Sequence, residues 1–139
     1  DVYKRQGMPG YMHEALLAAY LQTAAHRPLS DEALKIYSTP WLGAVGQPAF
    51  YRQIAQMSTR YTDEVQDLYQ PMECPVTVLW GENDAWIPAE KGHELAKLIS
   101  KRPCILVPGS GHLMQEDRPE AIVAAVLGRA AFLCNSLGH

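Results

Sequence analysis

The chain has 139 residues, of which 47% are hydrophobic and 19% are charged, and its formal net charge is −3 at pH 7. This composition and length are typical of one ordinary globular domain and exclude a disordered chain. A small acidic excess does not attract phosphate backbones, and no apolar run reaches the roughly 20 residues that a membrane span needs. We therefore expect neither nucleic acid nor a membrane as a partner.

The opening of the sequence predicts that the chain begins partway through a longer protein. Asp1 to Gln6 is polar, starts with Asp rather than Met and is followed by no apolar stretch, so it is not a secretory signal peptide. We interpret residues 1–10 as a leader of non-native origin. The cysteines are too few and too scattered for a disulfide framework, which predicts buried free thiols and a cytoplasmic setting; they are Cys74, Cys104 and Cys134.

Residues 11–70 are predicted to form a helical unit. The segment from Tyr11 to Ala25 is rich in strong helix formers and contains no Gly or Pro. Ser30 precedes two acidic residues and can cap a second helix. Gln47-Pro48 predicts the start of a third helix because Pro favours the first turn, and a short fourth helix is predicted from Tyr61 to Leu68.

From residue 71 onward the pattern changes to that of strands alternating with helices. Val76 to Trp80 is a β-rich run with apolar residues on both faces, which is typical of a strand covered on two sides. A helix from about Ala89 and a second strand from Cys104 to Val107 follow. This order predicts a parallel βαβ unit.

The last predicted helix starts at Pro119 and carries an apolar stripe that we expect to be buried. Two parallel strands cannot cover their own faces and edges, because a sheet usually needs about three strands or more for independent stability. We therefore predict an α/β protein in which residues 71–139 form the βαβα end of a sheet whose other strands are missing. The stripe consists of Ile122, Val123, Val126, Leu127 and Ala130.

Polar residues follow the ends of both predicted strands. Asp84 comes shortly after Trp80, and His112 comes shortly after Val107. Ligand chemistry collects at the carboxyl ends of parallel strands, so we expect this carboxylate and imidazole to lie side by side. The acid would fix the tautomer of the ring and leave its other nitrogen as a base. From spacing alone, the alternative that both are ordinary turn residues stays open.

The segments around these residues resemble the C-terminal part of the α/β-hydrolase superfamily. VTVLWGENDAWIP contains the Gly-x-x-Asp-x-x-x-Pro pattern of the acid loop, and VPGSGHLMQEDRPEAI contains a Gly-His pair before an acidic turn and a Pro-led helix. The resemblance covers about Pro75 to Leu133, and the helices before it resemble the family's mobile cap by position and helicity. The matching positions are Gly81, Asp84 and Pro88, then Gly111, His112, Glu116 and Pro119.

The resemblance implies a catalytic triad with Asp84 as the acid and His112 as the His. The family order is nucleophile, acid, His, but the sequence contains no Gly-x-Ser-x-Gly elbow, and Ser110 lies in a turn beside His112. The chain would be the cap and the last strands of a hydrolase, with the N-terminal half as its missing partner, and inactive alone. Ester hydrolysis is the simplest reaction implied. An epoxide hydrolase, a haloalkane dehalogenase and a carbon–carbon bond hydrolase are alternatives; no cofactor or metal is needed.

Several apolar residues lie beside the acid and the His or on the helical unit, and if they line a pocket the substrate is small and mainly apolar. The residues predicted to line its pocket are Trp41, Phe50, Trp86, Ile87 and Leu113, with ordinary core packing as an equal alternative. His13 and His93 each precede a Glu, but neither has the second His that a zinc motif requires. A competing hypothesis is a non-enzymatic interaction module, whose helices and exposed strand edge would bind another chain.

Overall fold

The structure, a computed structural model, describes residues 7–136, and for residues 129–136 it describes the backbone alone. Within these residues the chain divides into two compact units. The first comprises residues 7–23 and 28–69, and the second comprises residues 24–27 and 70–136. Residues 1–6 of the expected leader lie outside the described residues. No helix in the described part of the chain is both long enough and apolar enough to cross a membrane.

The first unit is helical, as predicted. Ser30 is the N-cap of the second helix, and its side chain accepts a hydrogen bond from the backbone N–H of Ala33, so the capping prediction is confirmed. The helices are α1 (Gly10–Gln22), α2 (Asp31–Ser38), a short 3₁₀ helix (Thr39–Trp41), α3 (Gly43–Ala55) and α4 (Arg60–Gln66).

Helix α3 starts earlier than predicted, at Gly43, which leaves Pro48 inside the helix instead of at its first turn. The added turn packs against the 3₁₀ helix through Gly46, where a Cβ atom would collide with the backbone of Pro40 and Trp41. Pro48 removes one backbone hydrogen bond near the helix start. The close contact at Gly46 is tertiary packing, and the position of Pro48 in the sequence does not predict it.

The core of the first unit is an aromatic cluster around a buried histidine. Leu17, Phe50 and Tyr51 are its buried apolar residues, and His13 is fully buried among them. The ring of His13 lies 3.0 Å from the Tyr51 hydroxyl through Nδ1 and 2.9 Å from the Trp41 carbonyl oxygen through Nε2. Because both ring nitrogens have hydrogen-bond partners, His13 stabilises the core and is not a metal ligand.

The second unit contains the predicted parallel strand pair and its flanking helices, so the α/β fold class is confirmed. Leu79, Trp80 and Gly81 pair in parallel with Ile105, Leu106 and Val107. Both strands are shorter than their sequence patterns, since only these residues find ladder partners in the described chain. The elements are β1 (Leu79–Gly81), α5 (Ala89–Ile99), β2 (Ile105–Val107), α6 (Met114–Asp117) and α7 (Pro119–Ser136).

A small core joins α5 to the strands. Val78, Ala96 and Cys104 are buried together, and burial raises the pKa of the Cys104 thiol. Gly92 lies against the indole of Trp80, where a Cβ atom would come within 2.7 Å of the ring. The absence of a side chain at Gly92 therefore sets how closely the helix approaches β1.

Two burial predictions for the second unit are wrong. The stripe on α7 is not covered, because Val123, Val126 and Leu127 are 55%, 63% and 62% exposed. No described residue packs over them, although their spacing is that of a buried helix face. Cys74 is also exposed, since it lies in the irregular segment before β1. The side chains of Ala130 and Cys134 lie outside the described residues.

Candidate active site

The acid of the predicted pair is held by the turn that follows β1. Asp84 Oδ1 accepts hydrogen bonds from the backbone N–H groups of Trp86 and Ile87, both at 2.9 Å. Its side chain is only 5% exposed. The carboxylate is thus fixed by its own turn, an Asx-type arrangement that the sequence Asp-Ala-Trp-Ile allows.

The imidazole follows β2 in the neighbouring loop. Backbone hydrogen bonds connect the two loops, from Glu82 N–H to the Val107 carbonyl at 3.1 Å and from Asn83 N–H to the Ser110 carbonyl at 2.9 Å. Parallel strands bring both loops to the same edge of the sheet. His112 therefore emerges beside the acid loop.

The structure brings Asp84 and His112 together, which confirms their predicted juxtaposition. His112 Nδ1 lies 3.0 Å from Asp84 Oδ2. Burial by itself would raise the pKa of Asp84, but hydrogen bonds from Ile87, His112 and Trp86 and the nearby imidazole charge hold that pKa below its ordinary value. An ionised Asp84 can only accept this hydrogen bond, so Nδ1–H of His112 is the donor and Nε2 is the ring nitrogen left for other partners.

A cleft of about 360 Å³ opens at this pair. Its wall is mainly apolar and includes Leu79, Met114 and Ile122 beside His112. The Trp86 ring lies against the imidazole, with centroids 5.0 Å apart and planes inclined by 32°. The arrangement places a base at the border of an apolar space, which is typical of small-molecule sites.

The predicted pocket residues fall in different units. Trp86 touches the imidazole, Ile87 donates its N–H to Asp84, and the N–H of Leu113 donates to the Ala24 carbonyl at 3.0 Å. Trp41 and Phe50 instead belong to the aromatic core of the first unit. For these last residues the structure shows core packing, and a pocket role stays a prediction.

Asp117 is a buried acid that the sequence motifs do not indicate. The motif pointed to Glu116 as the acidic turn residue, but Glu116 is exposed and the adjacent Asp117 is buried, with 5% of its surface exposed. Its carboxylate accepts hydrogen bonds from the N–H groups of Gly111, His26 and Arg27. Nothing local distinguishes two consecutive acids, and only the position of the 24–27 segment decides which of them is buried.

Other candidates for chemistry are not supported by their surroundings. Ser110 is fully buried, and its hydroxyl contacts the Gly111 carbonyl at 3.4 Å, as expected for a turn residue. Among the described residues, no group of three or more His, Cys, Asp and Glu side chains is arranged to hold a metal ion. The Asp84–His112 pair therefore remains the leading candidate site.

A parallel βαβ unit with an acid and an imidazole after its strands occurs in the α/β-hydrolase fold. Residues 5–125 match the Alpha/beta hydrolase family. This match extends over most of the chain, and the chain belongs to that family.

Three relatives illustrate the match. An alpha/beta hydrolase fold protein from Burkholderia ambifaria is 52% identical, with a TM-score of 0.89 over 91% of this chain and 47% of that chain. A serine hydrolase involved in carbazole degradation, the CarC enzyme, shares the fold at 16% identity and a TM-score of 0.60, over 86% of this chain and 47% of its own. The uncharacterized hydrolase YugF of Bacillus subtilis (strain 168) is 26% identical in an alignment of 114 residues that covers 78% of this chain and 39% of YugF. The chain thus spans less than half of each relative.

Proposed function

We propose that this chain supplies the acid and the general base of an α/β-hydrolase active site. The observation that carries the proposal is the 3.0 Å contact between His112 Nδ1 and Asp84 Oδ2 at the carboxyl edge of the parallel strands. The nucleophile and the oxyanion hole come from residues outside these 139. This agrees with the share of the relatives' length that the chain spans and with the lack of a Gly-x-Ser-x-Gly elbow.

The same missing half explains the exposed stripe on α7. Val123, Val126 and Leu127 form an apolar helix face without cover in the described chain, and helices of α/β proteins bury such a face against the sheet. The partner we propose for that face is the remaining part of the same sheet. No separate binding protein is required.

The reaction we propose is the hydrolysis of a carboxylic ester. His112 Nε2 takes the proton of the nucleophilic hydroxyl as its oxygen attacks the carbonyl carbon, and then gives that proton to the leaving alkoxide. Water attacks the acyl-enzyme with the same base, which releases the acid and restores the hydroxyl. Asp84 stays ionised, holds the ring by Nδ1 and stabilises the imidazolium.

The lining of the cleft supports a proposal for the substrate class. Leu79, Met114 and Ile122 make this side of the cleft apolar, which suits a small, mainly apolar acyl or alcohol group. If the missing nucleophile is Asp instead of Ser, the same pair would activate water in an epoxide hydrolase or a haloalkane dehalogenase. Carbon–carbon bond hydrolysis is the further alternative, so the nucleophile is the first residue to identify.

The test begins with the reading frame that contains these residues. We expect an upstream nucleophile elbow, and we expect the complete protein to hydrolyse p-nitrophenyl esters of short acids. His112→Ala and Asp84→Asn should each lower kcat/KM by about 10²–10⁴-fold. The exposed Glu82, in the same acid loop, supplies a matched control as Glu82→Gln, which should stay active.

The isolated chain gives the complementary result. It should take no label from a fluorophosphonate probe, because it lacks the serine nucleophile. Stoichiometric labelling of the isolated chain, or full activity of the complete protein without His112, would overturn the proposal.

A further inference from the structure

Asp117 is a buried carboxylate that the proposed reaction does not use. Oδ2 accepts the N–H groups of His26 and Gly111, both at 2.8 Å, and Oδ1 accepts the N–H of Arg27 at 2.9 Å. Asp117 is the last residue of the single-turn helix α6, which follows His112. This turn brings its side chain back to Gly111, the residue before His112. The Asp117 carboxylate therefore connects the start of the His loop, at Gly111, to the 24–27 segment and to the helix that ends the loop.

The loop is fixed on each side of His112. The N–H of Gly111 binds Asp117, and the N–H of Leu113 binds the Ala24 carbonyl at 3.0 Å. The segment of residues 24–27 thus provides a backbone acceptor to one neighbour of His112 and two backbone donors to Asp117. The imidazole is a third exposed, so the backbone on both sides of His112 helps to set its direction, together with Asp84 and Trp86.

Gly111 packs directly against the backbone of the 24–27 segment. A Cβ atom on Gly111 would come within 2.8 Å of His26 N and 2.9 Å of the Ala24 carbonyl oxygen. Burial alone would raise the pKa of Asp117, but the hydrogen bonds from His26, Arg27 and Gly111 and the nearby His26 charge hold that pKa below its ordinary value. The side chain is therefore an anion that neutral substitutes do not reproduce.

From these contacts we propose that Asp117 is a positioning residue, which holds the His112 loop so that Nδ1 meets Asp84 and Nε2 faces the cleft. The inference rests on the proposed role of His112 as the base. It adds a second carboxylate to the site, which acts through the backbone of Gly111 and touches neither the imidazole nor the substrate.

The first test is NMR of the complete hydrolase, because two strands alone lack the sheet that independent stability requires. A proton shared between a histidine Nδ1 and a carboxylate resonates far downfield, so the wild type should show this signal for His112, and His112→Ala should abolish it. In Asp117→Asn the signal should be lost or severely broadened while the amide spectrum stays dispersed. Glu82→Gln removes a charge from the neighbouring loop and should leave the signal unchanged.

The second test uses the complete hydrolase. A displaced base lowers the rate of the chemical step, so Asp117→Asn should reduce kcat by about 100-fold with KM little changed. Asp117→Glu keeps the negative charge but places it one methylene further out, and it provides a second variant in case Asp117→Asn does not fold. We expect a broadened His112 Nδ1 proton signal and a kcat about tenfold below that of the wild type.

The outcomes separate the two proposals. A complete wild-type protein without the downfield signal, or one whose activity is unchanged by His112→Ala, would overturn both the proposed function and the role of Asp117. A wild type that shows the signal and the activity, with either folded Asp117 variant unchanged in both, would overturn the role of Asp117 alone.

Discussion

Gly81 and Gly111 touch each other at the ends of their loops, so that a Cβ atom on Gly81 would collide with the carbonyl group of Gly111. Gly81 is the last residue of β1, and Gly111 directly precedes the imidazole-bearing residue. This backbone contact sets the distance between the acid loop and the His loop. The 3.0 Å contact between Asp84 and His112 depends on it.

The first prediction concerns that glycine contact. Gly81→Ala should lower the free energy of unfolding by about 1–3 kcal/mol, because the added methyl group must push two backbone segments apart. Gly128→Ala, on α7, is the matched control, since a Cβ atom added there would have no described atom within 4 Å; it should gain up to about 1 kcal/mol from helix propensity. Urea unfolding measures both, and equal effects of the two changes would contradict the prediction.

The second prediction concerns acid pH. Asp84 and Asp117 both have a pKa below the ordinary value of 3.8 when folded. Burial works against this shift, and hydrogen bonds to the carboxylates overcome it. A carboxyl with a depressed folded pKa stabilises the protein above its unfolded pKa and loses that contribution as pH falls through the folded value. The contribution of these two carboxyls to the free energy of unfolding should therefore stay level from neutral pH to about pH 5 and fall below about pH 4.

Substitution of Asp117 should change this pH profile. Asp117→Asn should already be less stable at neutral pH, by about 1–3 kcal/mol, because backbone donors are left without a good acceptor. It should then lose less free energy of unfolding when the pH is lowered. Urea midpoints at neutral pH and at about pH 3 measure the difference. If the variant and the wild type lose the same free energy of unfolding on acidification, Asp117 is not the group that titrates.

The third prediction concerns the ring against the imidazole. Trp86→Ala should remove the ring-current shift of the His112 ring protons and cost about 0.5–1.5 kcal/mol of stability. Trp86→Phe keeps an aromatic face and should retain much of the shift. Proton NMR of the imidazole compares the three proteins; unchanged His112 shifts in the Ala variant would mean that the 5.0 Å ring contact does not persist in solution.

The fourth prediction concerns the apolar stripe on α7. Because Val123, Val126 and Leu127 are exposed in the described chain, changing all of them to Gln should leave the stability of the isolated chain within about 1 kcal/mol and reduce its self-association. Leu17→Ala, at a fully buried position, should cost about 2–5 kcal/mol by comparison. Sedimentation and urea unfolding measure the two effects. A large loss from the stripe variant would mean that the stripe is covered.

Sequence patterns predicted the features that depend on local physics. The Ser30 cap, the helices and the order of strand, helix and strand follow from propensity and periodicity, and the meeting of Asp84 with His112 follows from the geometry of parallel strands. Features that depend on distant contacts were missed. The early start of α3 depends on how Gly46 approaches Trp41, and no local pattern contains that approach.

Burial was the hardest property to predict. The stripe on α7 has the spacing of a core face, yet burial also requires a neighbour, and the described chain provides none for Val126. The selection of Asp117 over Glu116 likewise depends on the 24–27 segment, far away in sequence. In both cases the sequence pattern identifies residues that could be buried, and contacts with distant parts of the fold decide whether they are buried.

Asp84 is secured by the amides of its own turn, independently of any imidazole. A sequence that lost His112 would keep an anion already aimed at the mouth of the cleft. A replacement for His112 would then meet an acid that needs no rearrangement, but it would have to arise in a loop whose backbone Asp117 and the 24–27 segment already hold.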